Sequence, residues 1–241
     1  MEIVPSKIQL VNISGNTLEG DIFYVKNKIN YIESAKIENT STTIKDFFQN
    51  NSVETKVMNS YYGSDVNTPI NLKNEKTIFS DESTIETAYQ YAYEKGNQKL
   101  IDANMVGIPL DTEVKKDGKT ISKAETKYDN PVNLLPSSVL SYNMQSNTPS
   151  TEVTYDIYDG KRNLIQYTTK AGVSTSIIWG YNQTQPIAKI EGAKLSDITQ
   201  TLINSIVNAS DDTNANYSES TLLNQLDAFR IALPNFQIST Y

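Results

Sequence analysis

Residues 155–181 read YDIYDGKRNLIQYTTKAGVSTSIIWGY, and this stretch decides the fold class. Apolar and polar residues alternate in three short runs, which is the pattern of strands with one face in water. The runs are separated by DGKRN at 159–163 and by Ala171-Gly172, which are rich in turn-forming residues. The stretch therefore predicts three consecutive antiparallel strands joined by tight turns.

The same strand–turn–strand unit recurs in the preceding part of the chain. Residues 109–130 predict a hairpin around Asp117-Gly118, because Asp-Gly favours the two-residue turns that join antiparallel strands. Residues 83–106 predict a strand that turns at EKGNQ and returns through Leu100, and further strands are expected at 7–13 and 21–37. A tyrosine recurs at uneven intervals near the start of the units, which indicates irregular stacked repeats: Tyr61, Tyr89, Tyr128 and Tyr155.

The sequence pattern changes after about residue 194. Apolar residues recur every four positions at Ile198, Leu202 and Ile206, with Ser196 as the expected N-cap of a helix. A second apolar stripe ends at a proline and comprises Leu222, Leu226, Phe229 and Leu233. The two stripes predict a helical hairpin that packs on itself or against the sheet.

We therefore expect a mainly β chain with three parts. Stacked antiparallel β-hairpins form a solenoid-like curved sheet over residues 1–194. A helical hairpin is inserted at 195–234, and residues 235–241 begin a further strand that is truncated where the chain stops.

Composition excludes several classes of function. The net charge is −7 and no segment concentrates Lys and Arg, so neither nucleic acid nor an anionic lipid surface is an expected partner. The chain has no His and no Cys, which removes imidazole bases, thiol nucleophiles, disulfides and ordinary zinc sites. We find neither a signal peptide at the N-terminus nor an apolar run long enough to span a membrane. Export is therefore expected only as part of a larger protein.

Two sets of acidic residues are candidates for glycoside hydrolysis, which uses a pair of carboxylates. One set is Asp156 with Asp159, and the other is Asp81 with Glu82 and Glu86. Both sets lie in turn-like segments, where acidic side chains are normally solvated. We therefore predict no catalytic residue in this chain.

Residues 211–216, DDTNAN, begin like a calcium-binding loop. Asp212, Asn214 and Asn216 stand at alternate positions, but Tyr217 and Leu223 occupy the places of the glycine and the bidentate glutamate. A solvated loop between the helices is the better interpretation. No G-x-G occurs either, so nucleotide-binding fingerprints are absent and we predict no cofactor and no metal.

The tyrosine-rich run YQYAY at 89–93 leaves two interpretations open. Strand periodicity would place Ile85, Thr87 and three tyrosines on one face: Tyr89, Tyr91 and Tyr93. Such a face could stack on sugars, because an aromatic ring covers apolar C–H surface while its hydroxyl forms hydrogen bonds. The simpler interpretation, which we favour, is aromatic pairing between strands.

Residues 155–198 closely resemble the RHS/YD-repeat proteins of Bacteroidetes. In that family a Tyr-Asp pair precedes a Gly-Asn-Leu turn, followed by QYTTK-G, IWGYN and PIAKIEGA, then a helical insert that ends at LP and a strand similar to ISTY. One departure is that the family places glycine directly before the asparagine of the turn, whereas here Gly160 stands earlier and Arg162 precedes Asn163. The hairpins of 107–130 look similar too. The matching positions are Tyr155, Asp156, Asn163, Leu164, Gln166, Tyr167, Trp179, Gly180, Tyr181, Pro186 and Lys189.

The resemblance implies a non-enzymatic scaffold. Full RHS proteins are long β-solenoids that often form a shell around a C-terminal toxin, and many in this phylum resemble large exported proteins. By that resemblance the chain is part of the shell or stalk of a secreted toxin or surface protein. Its partners would be the rest of the parent chain or the toxin cargo, and open strand edges would favour self-association. The alternative is a carbohydrate-binding surface module whose partner is a glycan held on the Tyr-rich face.

Overall fold

The computed structural model describes residues 39–48, 51–63, 69–211 and 219–241. Over these ranges the chain is mainly β, with 12 antiparallel strands in one open sheet and a few helices, chiefly near the C-terminus. The mainly β fold expected from the sequence is confirmed. The strands are β1 (Asn39–Phe48), β2 (Asn51–Tyr61), β3 (Leu72–Ile78), β4 (Thr84–Gln90), β5 (Asp111–Lys116), β6 (Lys119–Lys127), β7 (Ser138–Tyr142), β8 (Pro149–Tyr158), β9 (Leu164–Thr169), β10 (Ser174–Gly180), β11 (Gln185–Glu191) and β12 (Gln237–Thr240).

Strand order in the sheet follows strand order in the chain, from β1 to β12. Each described strand pairs antiparallel with its neighbours in the sequence, so the sheet is a continuous meander of hairpins. The strand expected near the C-terminus is β12, which pairs with β11 across the helical insert. The strands expected at 7–13 and 21–37 lie outside the described residues.

The turns predicted from Asp-Gly and Ala-Gly form where expected. Asp117 and Gly118 both adopt left-handed backbone, with φ of 49° and 76°, which is the geometry of a two-residue hairpin turn. Between β9 and β10, Gly172 has a φ of 79° and its N–H donates to the carbonyl of Thr169 at 2.9 Å. These turns fix the two hairpins that the sequence predicts most clearly.

The predicted return strand through Leu100 is wrong. β4 ends at Gln90, and Leu100 lies in a short helix, α1 (Gln98–Asp102), that Asn97 caps by accepting a hydrogen bond from the Leu100 N–H. Burial explains the difference, since Leu100 is fully buried with Ala92 and Leu110 in a small core beside the sheet. β5 takes the position next to β4 instead.

The helical hairpin is present, but its first helix begins later than predicted. A 3-10 helix (Leu195–Asp197) contains Ser196, so Ser196 is not an N-cap, and α2 (Gln200–Asp211) begins beyond it. The Asp197 carboxylate accepts from the Lys194 N–H at 2.9 Å and closes the short turn. The backbone at Ile198 is then extended, which separates the 3-10 helix from α2. The second helix is α3 (Glu219–Ala232).

The main core lies between this helical hairpin and strands β10 to β12. Both predicted stripes point into it: Ile206 and Phe229 are almost fully buried, together with Ile187 and Ile190 of β11. Burying each such side chain contributes about 1.5–3 kcal/mol. Elsewhere in the described residues the sheet has no comparable layer, and in β1 the Phe47 side chain is 77% exposed.

Candidate functional site

The Tyr-Asp pair of the opening stretch lies at a β-bulge between β8 and β9. Tyr155 pairs with Tyr167 and Ile157 with Gln166, which leaves Asp156 as the extra residue. Its carboxylate accepts hydrogen bonds from Gln166 Nε2 at 3.0 Å and Thr168 Oγ1 at 2.7 Å. Asp156 therefore shapes the strand pairing.

The turn after β8 is built around the side chain of Asp159. That carboxylate accepts from the backbone N–H groups of Lys161 and Asn163 at 2.9 and 2.8 Å, and from Asn163 Nδ2 at 3.0 Å. Arg162 is the residue with left-handed backbone, at a φ of 72°, whereas Gly160 is not left-handed. The left-handed position thus lies directly before the asparagine, although arginine occupies it here.

The second acidic set is engaged in turn and strand contacts as well. Asp81 accepts from both the N–H and the hydroxyl of Ser83, at 3.0 and 2.6 Å, and these hydrogen bonds lower the pKa of the Asp81 carboxyl. Glu86 accepts from Asn74 Nδ2 at 2.9 Å across the strands, and Glu82 has left-handed backbone in the turn. The contacts of both sets are those of turn caps and strand bridges.

Most of the calcium-like loop lies outside the described residues. Asp212, Asn214, Asn216 and Tyr217 lie outside the described residues, and Leu223 is an exposed position on α3. In the part of the chain that the structure describes, no set of three acidic side chains is grouped so as to hold a metal ion.

The tyrosines do not form a ladder on one face. Only Tyr89 of the YQYAY run lies in β4; Tyr91 is buried beyond the strand end and Tyr93 is 40% exposed. Tyr62 donates to the Tyr89 carbonyl at 3.0 Å and Tyr91 to the Leu72 carbonyl at 2.8 Å, with their rings edge to face. These hydroxyls join neighbouring hairpins.

The same arrangement recurs at the opening stretch. Tyr158 donates to the carbonyl of Pro136 at 2.8 Å and so ties β8 to the segment before β7. Burial, and then the nearby Tyr155, raise the pKa of the Tyr158 hydroxyl to about 12. Tyr158 therefore stays protonated, and a hydrogen-bond donor, at neutral pH.

A buried charge cluster on β5 and β6 was missed in the sequence. Asp111 and Glu125 are directly paired and each is only 5% exposed. Lys95 Nζ lies 2.8 Å from Glu125 and 3.5 Å from Asp111, Lys127 lies 2.9 Å from Glu125, and Tyr142 donates to Glu125 at 2.7 Å. Burial would raise the pKa of Glu125, but the hydrogen bonds from Lys95, Tyr142 and Lys127 outweigh it and lower the pKa to about 2.

A groove of about 420 Å³ lies at the opening stretch, between α2 and two hairpin turns, residues 159–163 and 181–184. We call it the helix–sheet groove. Apart from the buried Ile178, its apolar lining is half-buried, and its rim carries amides and charges. The lining residues are Asp159, Lys161, Ile165, Ile177, Ile178, Trp179, Asn182, Gln183, Leu195, Gln200, Ile203, Asn204, Val207 and Asp211.

A strained turn forms one end of the helix–sheet groove. Tyr181, Asn182 and Gln183 have successive φ values of 50°, 57° and 61°. Left-handed backbone costs about 1–2 kcal/mol in residues such as tyrosine and glutamine, and less in asparagine. The end of α2 holds this turn, because Ser210 Oγ accepts from the Tyr181 N–H at 3.2 Å and Asp211 from the Asn182 N–H at 2.6 Å.

Gly180 explains how α2 comes so close to the sheet. A Cβ at this position would meet Ser210 Oγ and would lie 2.9 Å from two carbon atoms of Ile187. Two polar contacts fix the other end of the insert: Gln166 Oε1 accepts from the Leu195 N–H at 2.8 Å, and Ser176 donates to the Ala193 carbonyl at 3.1 Å. Gln166 therefore connects the Asp156 bulge to the start of the helical insert.

Comparison of the chain with protein-family models, curated protein sequences and solved structures gave no match. The resemblance to the RHS/YD-repeat proteins therefore rests on the sequence motifs alone. None of the helices in the described ranges has the length and apolar character of a membrane span.

Proposed function

We propose that the chain is a non-enzymatic structural segment of an RHS/YD-repeat protein and builds part of the β-sheet shell or stalk of a secreted toxin or cell-surface protein. The observation that supports this most is the sequential strand order from β1 to β12. A sheet in which every described strand contacts its chain neighbours is extended by adding hairpins, as a wall requires.

The contacts between hairpins fit this role. Tyr62, Tyr91 and Tyr158 each bond a backbone carbonyl on another hairpin or connecting segment. Such hydrogen bonds stabilise a hairpin only when the neighbouring hairpin or segment is present. The acidic residues that could have supported catalysis are engaged in shaping turns and bulges, which favours a structural role for the Tyr-Asp motif.

In this proposal the units are residues 1–194 as the wall, 195–234 as a helical insert and 235–241 as the beginning of a further strand. The helical insert buries the faces of β10 and β11 and is attached to the wall at Gln166 and Ser176. In this proposal the helical insert stabilises that part of the sheet locally.

The proposal is tested by locating the protein in the organism that encodes it. An antibody raised against residues 219–241 should detect a polypeptide much longer than 241 residues in the surface or secreted fraction. Protease treatment of intact cells should remove that signal, while a cytoplasmic marker protein survives as the control. A 241-residue protein confined to the cytoplasm would contradict the proposal.

The alternative, a glycan-binding module that uses a Tyr-rich face, has less support. Its central residue, Tyr91, is buried and bonded to the Leu72 carbonyl. The described tyrosines with internal hydroxyl partners also include Tyr62, Tyr142 and Tyr158. Their engagement favours cohesion of the sheet over recognition of a ligand.

A further inference from the structure

The helix–sheet groove differs from the rest of the sheet in holding the only tryptophan of the chain, Trp179. Its indole N–H donates to the Leu164 carbonyl at 3.0 Å, which fixes the ring, and the side chain is only half-buried. Ile165, Ile177 and Ile203 continue the same partly exposed apolar lining. A fixed aromatic ring on an open apolar floor suits a ligand with an apolar face.

The rim of the groove offers planar polar groups above that floor. On α2, Gln200 Nε2 donates to Asn204 Oδ1 at 2.8 Å, and the Asn204 amino group has no protein partner within the described ranges. Across the groove, the side-chain amides of Asn182 and Gln183 likewise have none among the described residues. A side-chain amide supplies both a donor and an acceptor, which suits the recognition of hydroxyl groups.

The charged side chains at the rim form hydrogen bonds within the protein. Lys161 Nζ donates to the Asn182 carbonyl, Asp211 accepts from the Asn182 N–H, and Asp159 caps its own turn. Among the lining residues, the single cation Lys161 stands against two carboxylates, Asp159 and Asp211, and the whole chain carries a net charge of −7. The electrostatics therefore disfavour an anion and favour an uncharged ligand.

We propose that the helix–sheet groove binds a neutral saccharide, with a pyranose ring against Trp179 and its hydroxyls bonded to the amides of Asn204, Asn182 and Gln183. A pyranose has an apolar C–H face and a hydroxyl-rich edge, which match the floor and the rim. The volume of about 420 Å³ lies within the usual range of small-ligand sites. This binding activity is additional to the scaffold role and does not depend on it.

Trp179 also makes the proposal directly measurable, because it is the only source of tryptophan fluorescence in the chain. The purified chain is titrated separately with cellotetraose, chitotetraose and maltotetraose, with tetragalacturonate as the acidic comparison. At least one neutral oligosaccharide should change the Trp179 emission saturably, with a Kd below about 1 mM. Tetragalacturonate should bind at least about tenfold more weakly.

Variants then locate the site. Asn204→Ala, on the exposed face of α2, should raise the Kd at least about fivefold through loss of one hydrogen bond, with unchanged circular dichroism. Trp179→Phe should weaken binding measured by calorimetry. Tyr93→Ala, which removes an exposed tyrosine away from the groove, is the matched control and should bind like the wild type.

Three results would overturn the proposal. The first is the absence of a saturable response to all three neutral oligosaccharides, and the second is tighter binding of tetragalacturonate. The third is unchanged affinity in Asn204→Ala together with lost affinity in Tyr93→Ala, which would move the site to a tyrosine surface. The scaffold proposal would be unaffected by any of these results, since it is tested by size and location in the cell.

Discussion

At the scale of single residues, the turn after β8 separates backbone geometry from residue type. The resemblance predicts a glycine directly before Asn163, and Arg162 occupies that position with the left-handed φ of 72° that glycine adopts freely. The sequence shows that Gly160 stands two positions before Arg162, but it does not show which residue of the turn adopts the left-handed backbone. That outcome depends on the Asp159 carboxylate, which binds two N–H groups beyond it.

Arg162→Gly should therefore stabilise the chain. It relieves a left-handed conformation that costs about 1–2 kcal/mol and adds about 0.5–1 kcal/mol of backbone entropy to the unfolded state. The net expectation is a gain of about 0.5–1 kcal/mol in the free energy of unfolding in urea. Gly160→Ala is the control and should be neutral or slightly stabilising, because open space surrounds that position. If Gly160→Ala instead lowered the stability, the strain in this turn would lie at Gly160 and not at Arg162, contrary to the prediction.

Gly180 is a second residue whose role depends on close approach. Gly180→Ala forces a methyl group against Ser210 and Ile187, so α2 must move away from the sheet. Overpacking of this kind costs about 1–3 kcal/mol, and we expect a lower melting temperature together with a changed near-ultraviolet signal of the neighbouring Trp179. Gly107→Ala is matched to it, since the nearest atom lies 3.9 Å from the new Cβ, and it should leave both signals unchanged. Equal effects of the two substitutions would exclude the close-packing explanation.

At the scale of elements, the hairpins joined by short turns were predictable and the interrupted ones were not. Asp117-Gly118 identifies the β5–β6 hairpin, but a bulge between Val114 and Lys115 shifts its register by one residue. That shift brings Asp111 opposite Glu125, whereas an uninterrupted two-residue hairpin would pair Asp111 with Ala124. The charge cluster was missed for this reason. Leu100 was assigned to a strand for a different reason: a short buried helix and a buried strand have the same apolar sequence pattern.

The charge cluster predicts an acid-sensitive hairpin. The pKa of Glu125 is lowered to about 2 in the folded chain, so its ion pairs stabilise the fold above the ordinary pKa of the unfolded chain, near 4.5. This stabilisation is lost as the pH falls from about 4.5 towards about 2. In Glu125→Gln the urea midpoint should be lower than wild type at pH 7, and the difference should narrow over that window.

Glu191→Gln provides the control for this pH dependence. Glu191 is paired with Lys189 at 2.7 Å, but both side chains are partly solvated, so the pair contributes little. Its substitution should leave the midpoint close to that of the wild type at every pH. A difference between wild type and Glu125→Gln that stays constant from pH 7 to pH 2 would show that burial, and not the charge of Glu125, determines its effect.

At the scale of the whole molecule, strand pairing is uniform along the sheet, whereas the apolar core is not. The order β1 to β12 gives every described strand the same kind of neighbour contact, but the larger apolar core covers only β10 to β12. A smaller core, with Leu100, lies beside β4 and β5. In β1 to β3 no described residue is a buried hydrophobic. Backbone pairing and polar side-chain contacts, such as those of Tyr91 with Leu72 and of Asn74 with Glu86, must therefore hold those strands.

Hydrogen exchange should follow this division of the sheet. In a structure with contacts only between neighbours, local opening does not require the whole sheet to unfold, so protection is set by the local core. Amides of β10 and β11 should exchange slowest, those of β4 to β6 at intermediate rates and those of β2 and β3 fastest. Leu226→Ala, which opens a cavity costing about 2–5 kcal/mol under the helical insert, should accelerate exchange in β10 and β11 and leave β2 and β3 unchanged. Uniform acceleration across all strands would mean that the sheet unfolds as one cooperative unit, and a wall assembled from separately yielding hairpins would then be the wrong physical description of this chain.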